Sequence, residues 1–419
     1  MKVLVIGGGG RESAIVWKLN QSPHVKKIYA APGNAGMMQV AELINIASTD
    51  ISALLEFAMN EKIDLTIVGP EDALALGIVD LFEENGLKIF GPRKNAAIIE
   101  YSKEFAKAFM KRNNIPTASY EAFEDKDAAY AYIEGQQWPI VIKADGLAAG
   151  KGVYICKDLS EAKDALDDIM ELSKFGDAGK KIVVEEYLEG VEVSVLAFVD
   201  GETVVPMTSA KDHKAIFDGD KGPNTGGMGT IAPNNAYDAA TAEICMETIF
   251  KPTVTALARE GRAFKGVIFF GLMLTNDGPK VIEYNARLGD PETQVVLPML
   301  ESDLFEICMS CCNGTLDKID MKTENHGAAV CIILASGGYP GDFQKGFKIK
   351  GLDSLEGKDD AIVFFAGVKK DGEKLLTNGG RVLGITVLAD NVREAAEKAY
   401  VYSEKIVFEN KYMRKDIGR

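Results

Sequence analysis

Histidine, tryptophan and cysteine are scarce in this 419-residue chain, with 3 His, 2 Trp and 6 Cys. The cysteines, Cys156, Cys245, Cys308, Cys311, Cys312 and Cys331, are scattered. Cys308, Cys311 and Cys312 form half a metal site, but no second cluster or nearby histidine pair completes it. They read as small buried residues on a helix of a cytosolic protein. Positive charge is also lacking. The formal net charge is −15, which argues against a nucleic-acid or membrane-surface binder. Any anionic substrate must therefore be met by local basic residues or backbone amides. No apolar run approaches the ~18 residues of a membrane span. The chain enters a strand at Lys2 and a glycine run at Gly7, a pattern unlike a signal peptide. The expectation is a soluble, cytoplasmic protein that binds neither nucleic acid nor membrane. No internal repeat, low-complexity tract or long flexible linker is apparent.

What is present is ordinary globular material, 47% hydrophobic and 26% charged. The length suggests roughly two to four domains. One stretch organises the rest: Val281-Ile282-Glu283-Tyr284-Asn285-Ala286-Arg287-Leu288-Gly289-Asp290-Pro291-Glu292-Thr293-Gln294. Val281 to Asn285 is predicted as a strand, whose alternation puts Val281, Glu283 and Asn285 on one face. A carboxylate and a carboxamide so placed can hold a hard cation such as Mg²⁺ through oxygen. Taken alone, the pair equally fits a strand end running into a solvated turn.

Toward the N-terminus, Lys2–Ile6 is a predicted strand. Gly7-Gly8-Gly9-Gly10 and a helix opening at Arg11-Glu12-Ser13 follow it. Backbone amides of such a unit can approach an anion. It invites a dinucleotide-binding reading, and hence a nicotinamide-dependent oxidoreductase, but Glu12 stands where the third glycine belongs. Strands at 28–31, 43–46, 65–68 and 88–90 alternate with helices near 51–60 and 73–84, which implies a parallel sheet covered by helices. The turns at Gly69-Pro70-Glu71 and Gly91-Pro92 are expected to meet the glycine loop at one crevice.

A long helix is predicted from about 96 to 112, carrying Ser102-Lys103, and Asn114-Ile115-Pro116 ends it. After a helix at 125–134, a strand carries Lys143 into Asp145-Gly146-Leu147-Ala148-Ala149-Gly150-Lys151-Gly152. Small residues let such a loop fold over phosphates, and the lysines supply charge. It is not a Walker loop, since no Ser or Thr follows Gly150-Lys151. The segment 158–172 is predicted as an acidic outer helix, and Glu185-Glu186-Tyr187-Leu188 ends a strand. Glu192 and Ser194 share a strand face. The stretch from Ser209 to Gly229 shows little periodicity, as functional segments often do. Within it, His213 lies between Asp212 and Lys214. Strands near 328–334, 362–366 and 382–388 and a helix at 392–406 form a last unit that packs on, or rims, the site.

Assembled, these motifs resemble one family, the glycinamide ribonucleotide synthetases (phosphoribosylamine–glycine ligases) of the ATP-grasp superfamily. The resemblance runs end to end. It rests on the stretch Ile142 to Val153, on Asp212-His213-Lys214 through Gly226-Gly227-Met228-Gly229, and on Gly289 to Gln294. Gly7 to Glu12 and Arg414 to Gly418 also match. It implies a multidomain α/β and α+β fold. A Rossmann-like pre-ATP-grasp domain (1–100) would lead through a connecting helix (101–120) to an ATP-grasp lid (121–190). A catalytic part (191–325) and a small barrel-like C-terminal domain (326–419) would follow. The implied activity is ATP-dependent ligation of glycine to 5-phosphoribosylamine, with ATP and Mg²⁺ or Mn²⁺ as cofactors, in a monomer. Another ATP-grasp carboxylate–amine ligase, or a silent nucleotide-binding module, is the alternative. The nucleotide would lie among Lys103, Lys143, Gly146, Gly150, Lys151, Gly152, Glu185, Tyr187, Leu188 and Glu192. Glu283 and Asn285 match the metal ligands. Arg287, Asp212, Lys214 and Asp290 would be catalytic. Gly8, Gly9, Gly10, Glu12, His213, Gly289, Glu292 and Thr293 would meet the substrates. Three positions depart from the pattern: Ala215 where arginine is expected, Tyr101 where glycine is, and Thr230-Ile231 after Gly229.

Overall fold

The computed structural model describes residues 1–147, 152–172, 174, 176–322 and 327–419. Lys2–Gly7, Lys27–Pro32, Glu42–Leu43, Leu65–Val68 and Ile89–Phe90 form a five-stranded parallel sheet with Lys2–Gly7 at its centre. Val3 to Ile6 are fully buried, as both faces of a parallel sheet require when helices cover it. The predicted helix at 73–84 is two helices, Glu71–Leu76 and Ile78–Glu84, broken at Gly77 with φ 91°. The predicted strand at 43–46 shrinks to Glu42–Leu43.

The long helix is also divided. Lys94–Tyr101 stops, and Ser102 opens Lys103–Arg112 by accepting the Phe105 N–H at 3.1 Å. A small antiparallel sheet follows, in the order Tyr120–Phe123, Ile182–Glu186, Ile140–Ala144, Val153–Cys156. With the helices Lys126–Ile133 and Leu159–Leu166 it encloses its own core, centred on Ile133, Ile142, Leu166 and Ile169. The next sheet runs Val204–Pro206, Val191–Asp200, Lys265–Thr275, Gly278–Asn285. One of its faces shares a core with the N-terminal sheet, where Leu4 and Ile6 join Val195, Phe250 and Phe270.

Two expectations need correction here. In the last strand, pairing steps from Gly271–Glu283 to Leu272–Val281, so Ile282 is the extra residue of a bulge. Val281 therefore points into the core with Tyr284, while Glu283 and Asn285 keep the opposite, half-buried face. The stretch 209–229 is not irregular. Lys211–Asp212 pairs with Gly229–Ala232, and Ala215–Phe217 with Lys221–Asn224. Gly229–Ala232 in turn pairs with Ala328–Ser336. The C-terminal sheet thus borrows strands from far upstream, in the order Lys211–Asp212, Gly229–Ala232, Ala328–Ser336, Arg381–Ala389, Ala361–Phe365. The helix Val392–Lys405 packs on it. A sixth strand, Lys411–Tyr412, pairs with the end of Ala328–Ser336. Arg414, 1% exposed, clasps the hairpin through Ala215 O at 3.0 Å and Asp220 at 2.8 Å, beside the position where arginine was expected. Cys308 and Cys311 are buried on Leu304–Asn313, and burial pushes both thiols up.

Candidate active site

Glu283 and Asn285 emerge from the bulged strand where the lid, catalytic and N-terminal units meet. Lys214 stands 3.4 Å from Glu283 and 3.6 Å from Glu192. The Lys214 ammonium, with help from Lys143 and Lys103, holds the Glu283 carboxyl down to about 2 against the opposing effect of burial. Lys214 is in turn held in its charged form, chiefly by Glu283. Glu192, Ser194, Asp212, Lys214, Gly271, Ile282 and Glu283 line a small cleft at this point.

Lys143, 4% exposed, pairs with Glu185 at 2.9 Å and reaches the bulged Ile282 carbonyl at 3.3 Å. Glu185 also accepts Lys107 at 3.1 Å, and burial lowers Lys107 to about 8. Lys103 donates to Gly146 O at 2.9 Å, and burial lowers its pKa. This bond ties the helix at Lys103 to the start of the glycine loop. Gly146 and Gly152 are described; Gly150 and Lys151 lie outside the described residues. Tyr187 is 38% exposed at the edge between lid and catalytic sheet, with Leu188 half-buried beside it.

Arg287 is anchored from several sides. Its guanidinium meets Glu71 at 3.3 Å and Glu100 at 2.9 Å, and donates to Asn285 Oδ1 at 3.1 Å. Burial would raise Glu71, but Arg287 and Arg11 outweigh it and hold the carboxyl near about 2. The glycine loop arrives from the N-terminal sheet. Gly8 packs where a Cβ would lie 2.4 Å from Gly33 O, so only glycine fits. Glu12 accepts the Gly9 N–H at 2.6 Å and pairs with Arg11 at 2.6 Å. Its carboxylate thus takes the helix-start amide that a dinucleotide fold offers to a pyrophosphate, which argues against the oxidoreductase reading. Gly10 packs on Gln294. Of the two expected turns, Gly69 packs on Glu12, whereas Gly91 lies against Gly266 of the catalytic strand.

Asp290 joins three units. It faces the Arg11 N–H at 3.3 Å, accepts Gln294 Nε2 at 2.8 Å, and faces Arg381 of the C-terminal sheet at 3.3 Å. Burial alone would raise Asp290, but Arg381 and Arg11 leave it lowered. Asp212 and Glu292 go the other way. Burial raises both, each the more for the other's or a neighbour's negative charge. Asp212 Oδ1 is buried with no hydrogen-bond partner, and Ser194 donates to Glu292 at 3.2 Å. Gly289 precedes this turn, and Thr293 turns inward with its hydroxyl on Gly289 O. His213 is also turned inward, its Nδ1 3.1 Å from Gly229 O, and burial lowers it to about 4.

The structure brings Glu283, Asp212, Lys214 and Glu192 to one cleft, with Lys143 bonded to its Ile282 wall and Glu292 to its Ser194. A charge network beside it joins Asn285 and Arg287 to Glu71 and Glu100, and Asp290 to Arg381. Glu100 gave no signal inside an ordinary helical pattern. Arg381 could have been noticed from Asn378-Gly379-Gly380-Arg381, a turn that delivers an arginine to a strand start.

Comparison with known proteins agrees with this geometry. The model described as "Phosphoribosylglycinamide synthetase, N domain" matches residues 1–100, the "ATP-grasp (A) domain" 101–293, and the "C domain" 329–419. The chain belongs to the phosphoribosylglycinamide synthetase family. A protein of Caldanaerobacter subterraneus named phosphoribosylamine–glycine ligase is 53% identical over 419 residues, covering 100% of this chain and 99% of that one. Its namesake in Escherichia coli K12 is 49% identical over 422 residues, covering 100% and 98%. The crystal structure of phosphoribosylamine–glycine ligase from Thermotoga maritima superposes with a TM-score of 0.85 at 33% identity, covering 100% of both chains. The N5-carboxyaminoimidazole ribonucleotide synthetase of the same organism shares the fold, at TM-score 0.64 and 19% identity, covering 97% of this chain and 99% of that one. Within this synthetase family, the ATP-grasp part corresponds to the lid and catalytic sheets that flank Glu283. Among the described residues no helix is long and apolar enough to cross a membrane.

Proposed function

We infer that this chain is an ATP-dependent carboxylate–amine ligase that joins glycine to 5-phosphoribosylamine, a step of purine biosynthesis. The observation that carries the reading is the convergence of ionised Glu283 with Lys214, Lys143 and Lys103 between lid and catalytic sheet. Phosphoryl transfer needs placed charge rather than a covalent nucleophile. In this reading Lys103, Lys143 and the loop Gly146–Gly152, with Lys151, hold the nucleotide phosphates. Glu185, Tyr187, Leu188 and Glu192 border its base and ribose. Gly8 to Glu12, His213 and the Gly289–Thr293 turn border the second substrate.

The donor set at Glu283 and Asn285 fits Mg²⁺ or Mn²⁺. Both offer oxygen on one strand face, and a hard cation of this kind takes few protein ligands when phosphates supply the rest. When bound, such a cation neutralises phosphate charge. Arg287, fixed by Glu71 and Glu100, aims its guanidinium at the same face and can orient the glycine carboxylate. The carboxylate oxygen attacks the γ-phosphorus, the bond to the bridging oxygen breaks, and ADP leaves. The phosphoribosylamine nitrogen then attacks the glycyl carbonyl, expels phosphate and gives up a proton. Asp212 and Glu292 stand where a proton can be received. The test is coupled turnover: glycine and 5-phosphoribosylamine together should trigger ADP release, and release with neither would count against the reading.

A further inference from the structure

We propose that Arg381, on the C-terminal sheet, is a positioning residue for the amine half of the reaction. It would set the turn at Asp290 and the loop at Gly226–Gly227 against Asp212. The inference rests on the ligase reading above. A single guanidinium nitrogen of Arg381 donates to Asp290 O at 2.8 Å and to Gly226 O, and lies 3.3 Å from Asp290 Oδ1. Arg381 thus ties together two loop segments, one after Gly278–Asn285 and one between Lys221–Asn224 and Gly229–Ala232.

The second segment is held twice. Gly226 N–H donates to the Tyr339 hydroxyl at 3.0 Å, and the Tyr339 ring packs over Gly380, next to Arg381. The neighbouring Gly227 has φ 104°, and a Cβ there would lie 2.5 Å from Asp212 Oδ1 and 2.4 Å from Pro291. The loop is therefore the wall against which the unpartnered Asp212 oxygen and the Asp290–Pro291 peptide are set. Asp290 relays the placement to the glycine loop through the Arg11 N–H at 3.3 Å and to Gln294 at 2.8 Å. Lys103 bonds Gly146, Lys143 bonds Ile282 and Glu185, and Glu185 also takes Lys107; among the described residues none of the three bonds Arg381. Loss of Arg381 should accordingly disturb the substrate side and spare the nucleotide side.

The chemistry suggests a discriminating set of variants. Arg381→Met removes the charge and all donors. Arg381→Lys keeps an ammonium with three donors, enough for the three oxygens now served by one nitrogen. Tyr339→Phe removes one hydroxyl only. Steady-state kinetics on the full chain, with 5-phosphoribosylamine generated in situ, would be read alongside thermal unfolding and calorimetric binding of a non-hydrolysable ATP analogue. For Arg381→Met the expected result is a fall in kcat/KM for the ribosylamine of roughly ten- to hundredfold, the scale of a lost charge-assisted hydrogen bond. The KM for ATP and analogue binding should stay as in the wild type, and Arg381→Lys should recover most of the loss. Equal damage to ATP and ribosylamine parameters, or no recovery with lysine, would overturn the proposal in favour of plain structural loosening. If Arg381→Met does not fold, Tyr339→Phe decides: a raised KM for the ribosylamine alone supports the proposal, and wild-type constants overturn it. A wild-type chain inert with glycine and the ribosylamine would instead bring down the ligase reading itself.

Discussion

At the residue scale, charge placement separates groups of similar chemistry. Glu283 is drawn to about 2 by Lys214, whereas Asp212 and Glu292 are raised by burial. Replacing Glu283 by Gln keeps its shape and removes its charge. Turnover at saturating Mg²⁺ should fall by ~10²–10³ with the circular dichroism spectrum unchanged. Asn285→Ala should be milder, because a neutral ligand cancels no charge; near-normal turnover of the Glu283 variant would remove it from the site. His213 makes a second case. It titrates near 4 when folded, against ~6.5 in an unfolded chain. Between those values the unfolded chain binds more protons, so stability rises with pH. The His213 contribution should be flat above pH ~6.5 and decline below that by up to about 3 kcal/mol as pH approaches 4. His213→Gln should lose that part of the slope in urea unfolding. Identical slopes for both proteins would mean that the ring is hydrated or protonated in the native state.

At the scale of elements, the lid is the part with its own hydrophobic core, separate from those shared by the other sheets. A unit so built can move as a body, held by contacts such as Lys103 to Gly146 and Lys143 to Glu185. An ATP analogue should therefore slow amide exchange across residues 145–156, since charge-assisted contacts to phosphate protect the backbone they engage. Equal exchange with and without nucleotide would indicate a rigid turn. Ser102 provides a sharper local test, because it caps the helix that carries Lys103 and also donates to Asp145 at 3.3 Å. Ser102→Ala should lower stability by about 1 kcal/mol and weaken nucleotide binding together. Weakened stability with intact binding would detach the cap from the site. The segment 209–229 shows why an element can hide. Its strands are two to four residues long, too short for a period to show, and only Gly229–Ala232 reaches Ala328–Ser336, about a hundred positions downstream.

At the scale of the whole molecule, N-terminal, ATP-grasp and C-terminal parts meet at Asp290 through Arg11 and Arg381, and Lys143 ties the small antiparallel sheet to the strand of Glu283. In the proposed reading, Lys103, Lys143 and Lys214 gather charge near the outer phosphates, which favours attack at the γ rather than the α position. Complete reactions should yield ADP and phosphate in equal amounts, with no AMP. Hydroxylamine added with ATP and glycine should trap glycyl hydroxamate if the acyl phosphate forms before the amine binds. AMP and pyrophosphate as products would dismiss the roles given to Lys151, Glu283, Asn285 and Arg287 at once.

The sequence by itself determined the pieces whose physics is local. The apolar run Lys2–Ile6 with its glycine loop, the face shared by Glu283 and Asn285, and the lysine-bearing strand at 140–144 were legible. Strand alternation, helix periodicity and close backbone approach act between near neighbours. Tertiary structure decided the rest. The bulge at Ile282, which turns Val281 inward, depends on the register of a partner strand. The anchoring of Arg287 by Glu71 and Glu100 spans some two hundred positions, as does the reach of Arg414 to Ala215. Arg381 meets Asp290 across ninety-one positions, at the junction of two separate sheets. An isolated glutamate or arginine has no period and no partner in its own neighbourhood, and burial with an opposite charge is a property of the assembled chain.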